Sequence, residues 1–395
     1  MADQITHRGQ ADRAAALVET RAAAMVCKLP TNYFAGRAGG GVGVEDSRER
    51  QREEFDQNIQ QIRTGAHLGW LIHLAHIYFA LYSEVDRKLS PRARIATWQA
   101  ALEALAAALS RNDLPSFADV MALTVNHHHY DWWHAAVAGL NERYLLGQGH
   151  SKLSDDFLKG MLAFDIANPV PFYKDSADRS LVHSWRTDLI EHRPELVRDA
   201  YLAVAHLRLL RNEQIVDGLT ELLTEPVFEP YRRDVALDLL RQFPNADPFR
   251  LADLLDVVAK LPAAHNVFLQ LAGPVISGHI AVDQRQRDLW LVTAYLVSPA
   301  RFEDDVRQRA GAHPGLVFDL RDASGFANRG QPGEAALPLA AIEFMAQLTG
   351  SLFPETPFPP HGWSGDTNAW DRGHNGLAIL AHEGPQVRKP ALLPN

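Results

Sequence analysis

The apolar residues of this chain recur at helical spacing over most of its length. One set falls at offsets 0, 3, 4, 7 and 10: Leu251, Leu254, Leu255, Val258 and Leu261. Because successive residues of an α-helix turn by about 100°, such a set forms a one-sided stripe that a partner helix must cover. The nearest candidate for a strand, VFDL at 317–320, is too short to build a sheet. The pattern therefore predicts an all-α protein.

Proline recurs where these helical stretches begin. The first turn of a helix tolerates proline, because the missing N–H has no partner there and the fixed φ suits the helix. The pattern predicts helix starts at Pro91, Pro115, Pro194, Pro230, Pro248, Pro299 and Pro338. Three of these prolines follow a residue that caps helices well, and we expect N-caps at Ser90, Asp247 and Ser298.

The predicted helix starts are spaced irregularly and share no repeated signature residues. This favours an α-solenoid of irregular helix pairs, of the HEAT or armadillo type, over a strict repeat array. We assign the solenoid to residues 66–350. Residues 1–65 are expected to form an N-terminal helical segment with a Gly-rich joint at 36–43. Residues 351–395 are expected to form an extended, Pro- and aromatic-rich segment with a loose tail.

Composition narrows the class of protein. The net charge of -9 argues against a nucleic-acid-binding surface spread over the whole chain. Cys27 is the only cysteine, so neither an internal disulfide nor a Cys-rich zinc site can form. The polar start lacks the apolar core of a signal peptide, and the apolar stretch at 68–81 is too short to span a bilayer. We expect a cytoplasmic protein that binds neither nucleic acid nor membrane.

Motifs for catalysis are missing. A nucleotide-binding P-loop needs a Gly-Lys pair, and the sequence contains none. The residues around Ser364 place the second glycine one position too early for a hydrolase nucleophile, and Cys27 has no histidine close in sequence. Six tryptophans fall within apolar stripes and are expected in the core: Trp70, Trp98, Trp132, Trp133, Trp185 and Trp290. We therefore expect no catalytic residue and no cofactor.

The segment NHHHYDWWH is the strongest candidate for metal chemistry. If it is helical, His127, Asp131 and His134 lie at i, i+4 and i+7 on one face, where imidazole and carboxylate could bind a transition metal. The alternative interpretation is that Tyr130 and Trp133 pack inward while these polar residues face solvent. We favour packing, because no second cluster such as His-Glu-x-x-His completes a site.

A second histidine pair, His73 and His76, lies at i, i+3 on the apolar stretch HLGWLIHLAHIYFALY. Such a pair could be metal ligands or a pH-sensitive contact. More often such histidines form hydrogen bonds between packed helices, which we favour. The pair could also converge on the first cluster from the preceding helix.

Several stretches follow one another in a characteristic order of apolar and proline positions, among them AHLGWLIHLAHIYFALYSE, HRPELVRDAYLAVAHLRLLR and IEFMAQLTGSLFPETPFPPHGWSGDTNAWD. In this order they resemble the helical region downstream of the NTPase module in large bacterial NACHT-type proteins, over roughly residues 66–371. The NTPase module itself is absent, and the residues after Asn368-Ala369-Trp370-Asp371 are dissimilar. The resemblance implies signalling NTPases whose helical repeats sense a trigger, which is a phage component in some members.

Two hypotheses of function follow. The first is a non-catalytic, protein-binding scaffold or sensor, whose partner is a separately encoded NTPase or a phage-derived trigger. The alternative is a metal-dependent enzyme that uses the cluster of His127, Asp131 and His134. We favour the first, because it accounts for the series of helices and for the missing catalytic motifs.

Overall fold

A computed structural model describes residues 50, 52–81, 91–95, 100–169, 184–323 and 338–353. Within these residues every regular element is a helix, which confirms the all-α prediction. VFDL belongs to the helix Leu316–Ala323. The predictions for the Gly-rich joint, Cys27 and the segment around Ser364 fall outside the described residues. The contacts divide the chain into two compact units, Met1–Val204 (unit 1) and Ala205–Asn395 (unit 2), a division that the apolar pattern did not indicate.

Unit 1 contains the helices that carry the histidine clusters. In chain order they are α1 Ile59–Arg63, α2 Leu68–Tyr78, α3 Pro91–Ile95, α4 Ala101–Ala108, α5 Phe117–Thr124, α6 Trp133–Leu145, α7 Asp155–Ala167 and α8 Ser184–His192. The next helix, α9 Pro194–Leu210, crosses the boundary between the units. Four helices, α2, α4, α7 and α8, pack against α6. The core of unit 1 is therefore built around α6.

Unit 2 continues with helices that pack on their neighbours in sequence. They are α10 Leu219–Thr224, α11 Glu229–Gln242, α12 Pro248–Lys260, α13 His265–Ile276, α14 Gln284–Val297, α15 Pro299–Ala312, α16 Leu316–Ala323 and α17 Leu339–Leu352, with short 3₁₀ turns at Pro226–Phe228 and Pro262–Ala264. The predicted stripe of α12 is buried at its first four positions, while Leu261 is only half-buried. The helix α12 packs against α11 and α14.

Most predicted proline starts are confirmed. Pro91, Pro194, Pro248 and Pro299 begin their helices, and Pro230 is the second residue of α11. Two helices begin later in the chain than predicted. Pro115 precedes the N-cap of α5, and Pro338 occupies the N-cap position of α17.

The predicted N-cap residues differ in whether their side chains make a capping hydrogen bond. The Asp247 side chain accepts a hydrogen bond from the Phe249 N–H, 2.9 Å away, as expected. Ser298 occupies the N-cap position of α15 as predicted, but its side chain makes no capping hydrogen bond. Its ψ of 76° departs from the extended backbone that aims a capping oxygen at the helix, such as the ψ of 164° at Ser116. Ser90 lies outside the described residues.

The tryptophans confirm the predicted core. Trp70, Trp133, Trp185 and Trp290 are each at most 1% exposed, and Trp132 is also buried. Trp98 falls outside the described residues. Large aromatic side chains thus supply much of the buried apolar surface in both units.

The contact between α4 and α6 depends on Gly139. A Cβ atom at this position would lie 2.3 Å from the backbone oxygen of Leu105, closer than any real contact allows. We expect Gly139→Ala to lower the free energy of unfolding by about 1–3 kcal/mol, because the two backbones must move apart. Chemical denaturation of the variant measures this loss.

Gly311 in α15 is the matched control. It is also a helical glycine, but beyond its chain neighbours an added Cβ would meet no atom within 4 Å. Gly311→Ala should therefore stabilise the protein by roughly 0.5–1 kcal/mol through helix propensity alone. Equal effects of the two substitutions would contradict the close approach of α4 and α6.

Candidate functional site: a buried histidine cluster and an uncharged surface

The three proposed metal ligands do not share a helix face. α5 ends at Thr124, and His127 follows in a turn with a left-handed φ of 54°. α6 begins only at Trp133, so Asp131 precedes it. The shared helix face that the i, i+4, i+7 spacing suggested does not form, because residues 125–132 are not helical. His127 and Asp131 are exposed, whereas His134 is buried. Within the described part of the chain, no three His, Cys, Asp or Glu side chains are grouped so that they could hold a metal ion.

The burial of His134 also corrects the packing interpretation, which placed this residue in solvent. Only 8% of His134 is exposed, and its neighbour Trp133 is buried as predicted. Residues 133–142 are all buried. Because helices pack around α6 on several sides, it has no solvent face over these turns, and adjacent residues that point in different directions are both enclosed.

Three histidines meet around this buried position. The ring centroid of His134 lies 5.8 Å from that of His76 on α2 and 5.5 Å from that of His129 in the segment before α6. The Phe164 ring of α7 lies 5.0 Å from His134 and 5.4 Å from His129. We call His76, His129 and His134 the histidine cluster. The expected convergence of the two sequence groups thus occurs through His76.

His73 lies beside the cluster. Its ring packs edge-on against Trp70, with 5.3 Å between centroids. Burial, with a smaller contribution from the neighbouring His76, lowers the pKa of His73 to about 4. His73 is half-buried and packs against the edge of the aromatic core at Trp70.

Burial disfavours the protonated forms of His134 and His76. The pKa of His134 is lowered to about 3, chiefly by burial and further by His129 and His76, although Asp165 opposes the shift. The pKa of His76 is also lowered, chiefly by burial, although Asp131 opposes the shift. The Nδ1 atoms of His129 and His134 are buried without a hydrogen-bond partner. A protonated ring would thus find little compensation here.

A hydrogen-bonded tie joins α2, α3 and α6 elsewhere in unit 1. The buried Glu142 carboxylate accepts hydrogen bonds from the Tyr78 hydroxyl and from Arg92 Nε, each at 2.8 Å. Asn141 donates to the same hydroxyl at 2.7 Å. Burial and Glu142 raise the pKa of Tyr78. Sequence reasoning missed this tie, because Tyr78 and Arg92 precede Glu142 by about 50 residues or more and share no motif with it.

Unit 2 contains a surface without charge. Residues 261–282 include no Asp, Glu, Lys or Arg, although 22% of the chain is charged and about five would be expected. Within this stretch, α13 buries Phe268, Ala272 and Val275. The exposed residues of α13 lie at helical spacing on the opposite face. Together with Ala263 of the preceding 3₁₀ turn, we call them the uncharged surface: Ala263, Asn266, Val267, Gln270 and Pro274.

No protein-family model, curated protein or solved structure matches this chain. None of these comparisons links it to NACHT-type NTPases, so that resemblance stays a prediction. Among the described helices, none combines the length and the apolarity that crossing a membrane requires.

Proposed function

We propose that this chain is a non-catalytic, protein-binding helical-repeat module whose partner is a separately encoded NTPase. The observation that carries the proposal is the uncharged surface of α13. The centres of protein interfaces are depleted of charged residues, because burying an unpaired charge is costly. Val267 is 37% exposed and Asn266 and Gln270 are exposed beside it, so the surface offers both apolar area and uncharged hydrogen-bonding groups.

Helix packing supports the repeat character of the module. In unit 2, α11 packs on α12, α12 on α14, and α14 on α15 and α16. Each of these helices contacts others that are close in sequence, as expected where every repeat covers the apolar face of the next. We therefore propose HEAT-like helix pairs.

The identity of the partner rests on the resemblance. Helical regions of NACHT-type proteins work with an NTPase module, and these 395 residues contain no Gly-Lys pair of a P-loop. A partner that supplies such a module should present an uncharged, partly apolar patch to α13. By contrast, the alternative of a metal-dependent enzyme gains no support, since His127 and Asp131 lie exposed in the segment between α5 and α6.

The test is co-expression of the tagged full chain with P-loop NTPases from neighbouring reading frames, followed by size-exclusion chromatography and titration calorimetry. We expect a stoichiometric complex. Asn266→Asp combined with Gln270→Glu should weaken it at least tenfold, because two isosteric changes place two charges in the interface. An acidic residue in the first turn is favourable to a helix, so the fold of α13 should be preserved.

The matched control places the same charges elsewhere in unit 2. Gln308 on α15 and Gln347 on α17 are exposed amides, so Gln308→Glu combined with Gln347→Glu should leave the affinity unchanged. Equal weakening by both pairs would exclude α13 as the interface. A complex with a phage protein but with none of the NTPases would exclude the proposed partner.

A further inference from the structure

The histidine cluster joins α2 to a stretch of unit 1 that is distant from it in sequence. His76 belongs to α2, His129 to the segment 125–132, and His134 to α6. The His134 ring packs edge-on against the rings of His76, His129 and Phe164 of α7. Nothing in the proposed protein-binding function uses these rings.

We propose that the histidine cluster is an acid-sensitive latch: when His76 and His134 take up protons, α2, α6 and the segment 125–132 separate, and unit 1 opens while unit 2 stays folded. The latch is independent of the proposed binding surface, which lies on α13 in the other unit. Its chemical trigger is the proton, and it would make the stability of unit 1 depend on pH.

The geometry explains why His134 cannot take up a proton in place. It is buried between His76 and His129, with centroids 5.8 and 5.5 Å away, so a charge on His134 and on either neighbour would repel each other at short range. The buried Nδ1 atoms of His129 and His134 face no acceptor. Opening the contact exposes all three rings to water, where protonated imidazole is well solvated.

Among the residues that the structure describes, two carboxylates act on His76 and His134, and neither is well placed as a partner. Asp165 on α7 is buried, and its Oδ2 already pairs with Arg186 of α8 at 3.0 Å. Asp131 is 61% exposed, and its carboxylate lies 3.8 Å from His129 Nε2. A further titratable neighbour is His73 on α2, whose own pKa is lowered in part by His76.

The direction of the pH effect follows from proton linkage. His76 and His134 bind a proton more weakly in the folded than in the open state, since the pKa of each is lowered from 6.5. Their contribution to stability is present above pH 6.5 and is lost as the pH falls below it. The opening equilibrium constant should therefore rise up to about tenfold per pH unit for each ring that takes up a proton.

Hydrogen exchange of the full-length protein between pH 7 and pH 5, corrected for intrinsic exchange rates, tests the latch. Peptides from α2 and α6 should open progressively below pH 6.5, whereas peptides from α14 in unit 2 should not. Replacing His134 by Phe keeps a ring in place that cannot charge. We expect His134→Phe to reduce the rise in opening by about tenfold per pH unit. A remainder should come from His73, His76 and His150, which are further histidines of unit 1 with a lowered pKa.

The matched control is His128→Phe in the same segment, because His128 is exposed and makes no contact with the cluster rings that this structure describes. It should respond to pH as the wild type does. If His134→Phe fails to fold at pH 7, His76→Phe serves the same purpose at a half-buried position. An unchanged pH response in the Phe variants of the cluster, or equal opening of α14, would overturn the proposal.

Discussion

Trp133→Ala is expected to remove about 3–5 kcal/mol from the free energy of unfolding of unit 1. The Trp133 side chain is 1% exposed, and its ring packs edge-on against Tyr130 and Phe164 at 5.4 and 5.5 Å. Deleting it leaves a cavity that four surrounding helices cannot easily close. Since whole domains are stable by only about 5–15 kcal/mol, the variant should be partly unfolded or prone to aggregation.

Urea denaturation followed by far-UV circular dichroism measures this loss. Tyr144 provides the control, because it lies on the same helix and is 36% exposed. Tyr144→Ala should therefore cost no more than about 1 kcal/mol. A loss of less than that at Trp133 would mean that α6 is not the centre of the core.

Arg208→Met should cost about 3 kcal/mol, the second large effect. The Arg208 side chain is 2% exposed; its Nε lies 3.1 Å from Asp217 and its Nη1 3.4 Å from Glu213. Methionine keeps apolar volume but removes the cation, so two carboxylates of the loop after α9 lose their buried partner. Their side chains are 19% and 23% exposed, which places the loss at the lower end of values for buried pairs.

The pH dependence of this variant distinguishes lost charge from lost packing. Burial raises the pKa of Asp217, and Arg208 opposes that shift. Without Arg208 the pKa should rise further. Asp217 then binds a proton more tightly in the folded variant than in the unfolded chain. The loss of unfolding free energy relative to the wild type should therefore shrink as the pH falls from 7 to 4.5. Chemical denaturation at both pH values tests this.

Arg211→Met is the control for the same loop. The Arg211 side chain is 40% exposed, and its Nε is 3.9 Å from Glu213. An exposed pair of this kind contributes at most about 1 kcal/mol. A deficit that is equal for both variants, or that does not change with pH, would show that the charge of Arg208 is not what stabilises the loop.

Helices with one buried face could be predicted from the sequence, and a helix enclosed on several sides could not. The stripe from Leu251 to Val258 indicated its buried face directly, because α12 keeps a polar side. α6 has no separate apolar and polar faces over its buried turns. The sequence pattern placed His134 on a polar face, but this residue is buried. The run AAVAG in α6 could have indicated its burial, because a helix that is apolar on all sides is buried.

The histidine cluster could be predicted only in part. Sequence spacing suggested that the pair on α2 could approach the later histidines, and His76 does so. The contribution of His129 was not foreseen, because the segment 125–132 is irregular and includes the left-handed His127. Contacts between α2 and α6 join residues about 60 positions apart, and local periodicity carries no information about such pairing.

The enclosure of α6 also bears on how the protein is made. A ribosome delivers the chain from its N-terminus, so α2 and α4 emerge before the helix that they cover, and α7 and α8 emerge after it. Until residue 192 has left the exit tunnel, the nascent chain lacks the last helix that shields α6. Its apolar side chains are exposed during that interval, when chaperones bind such surfaces.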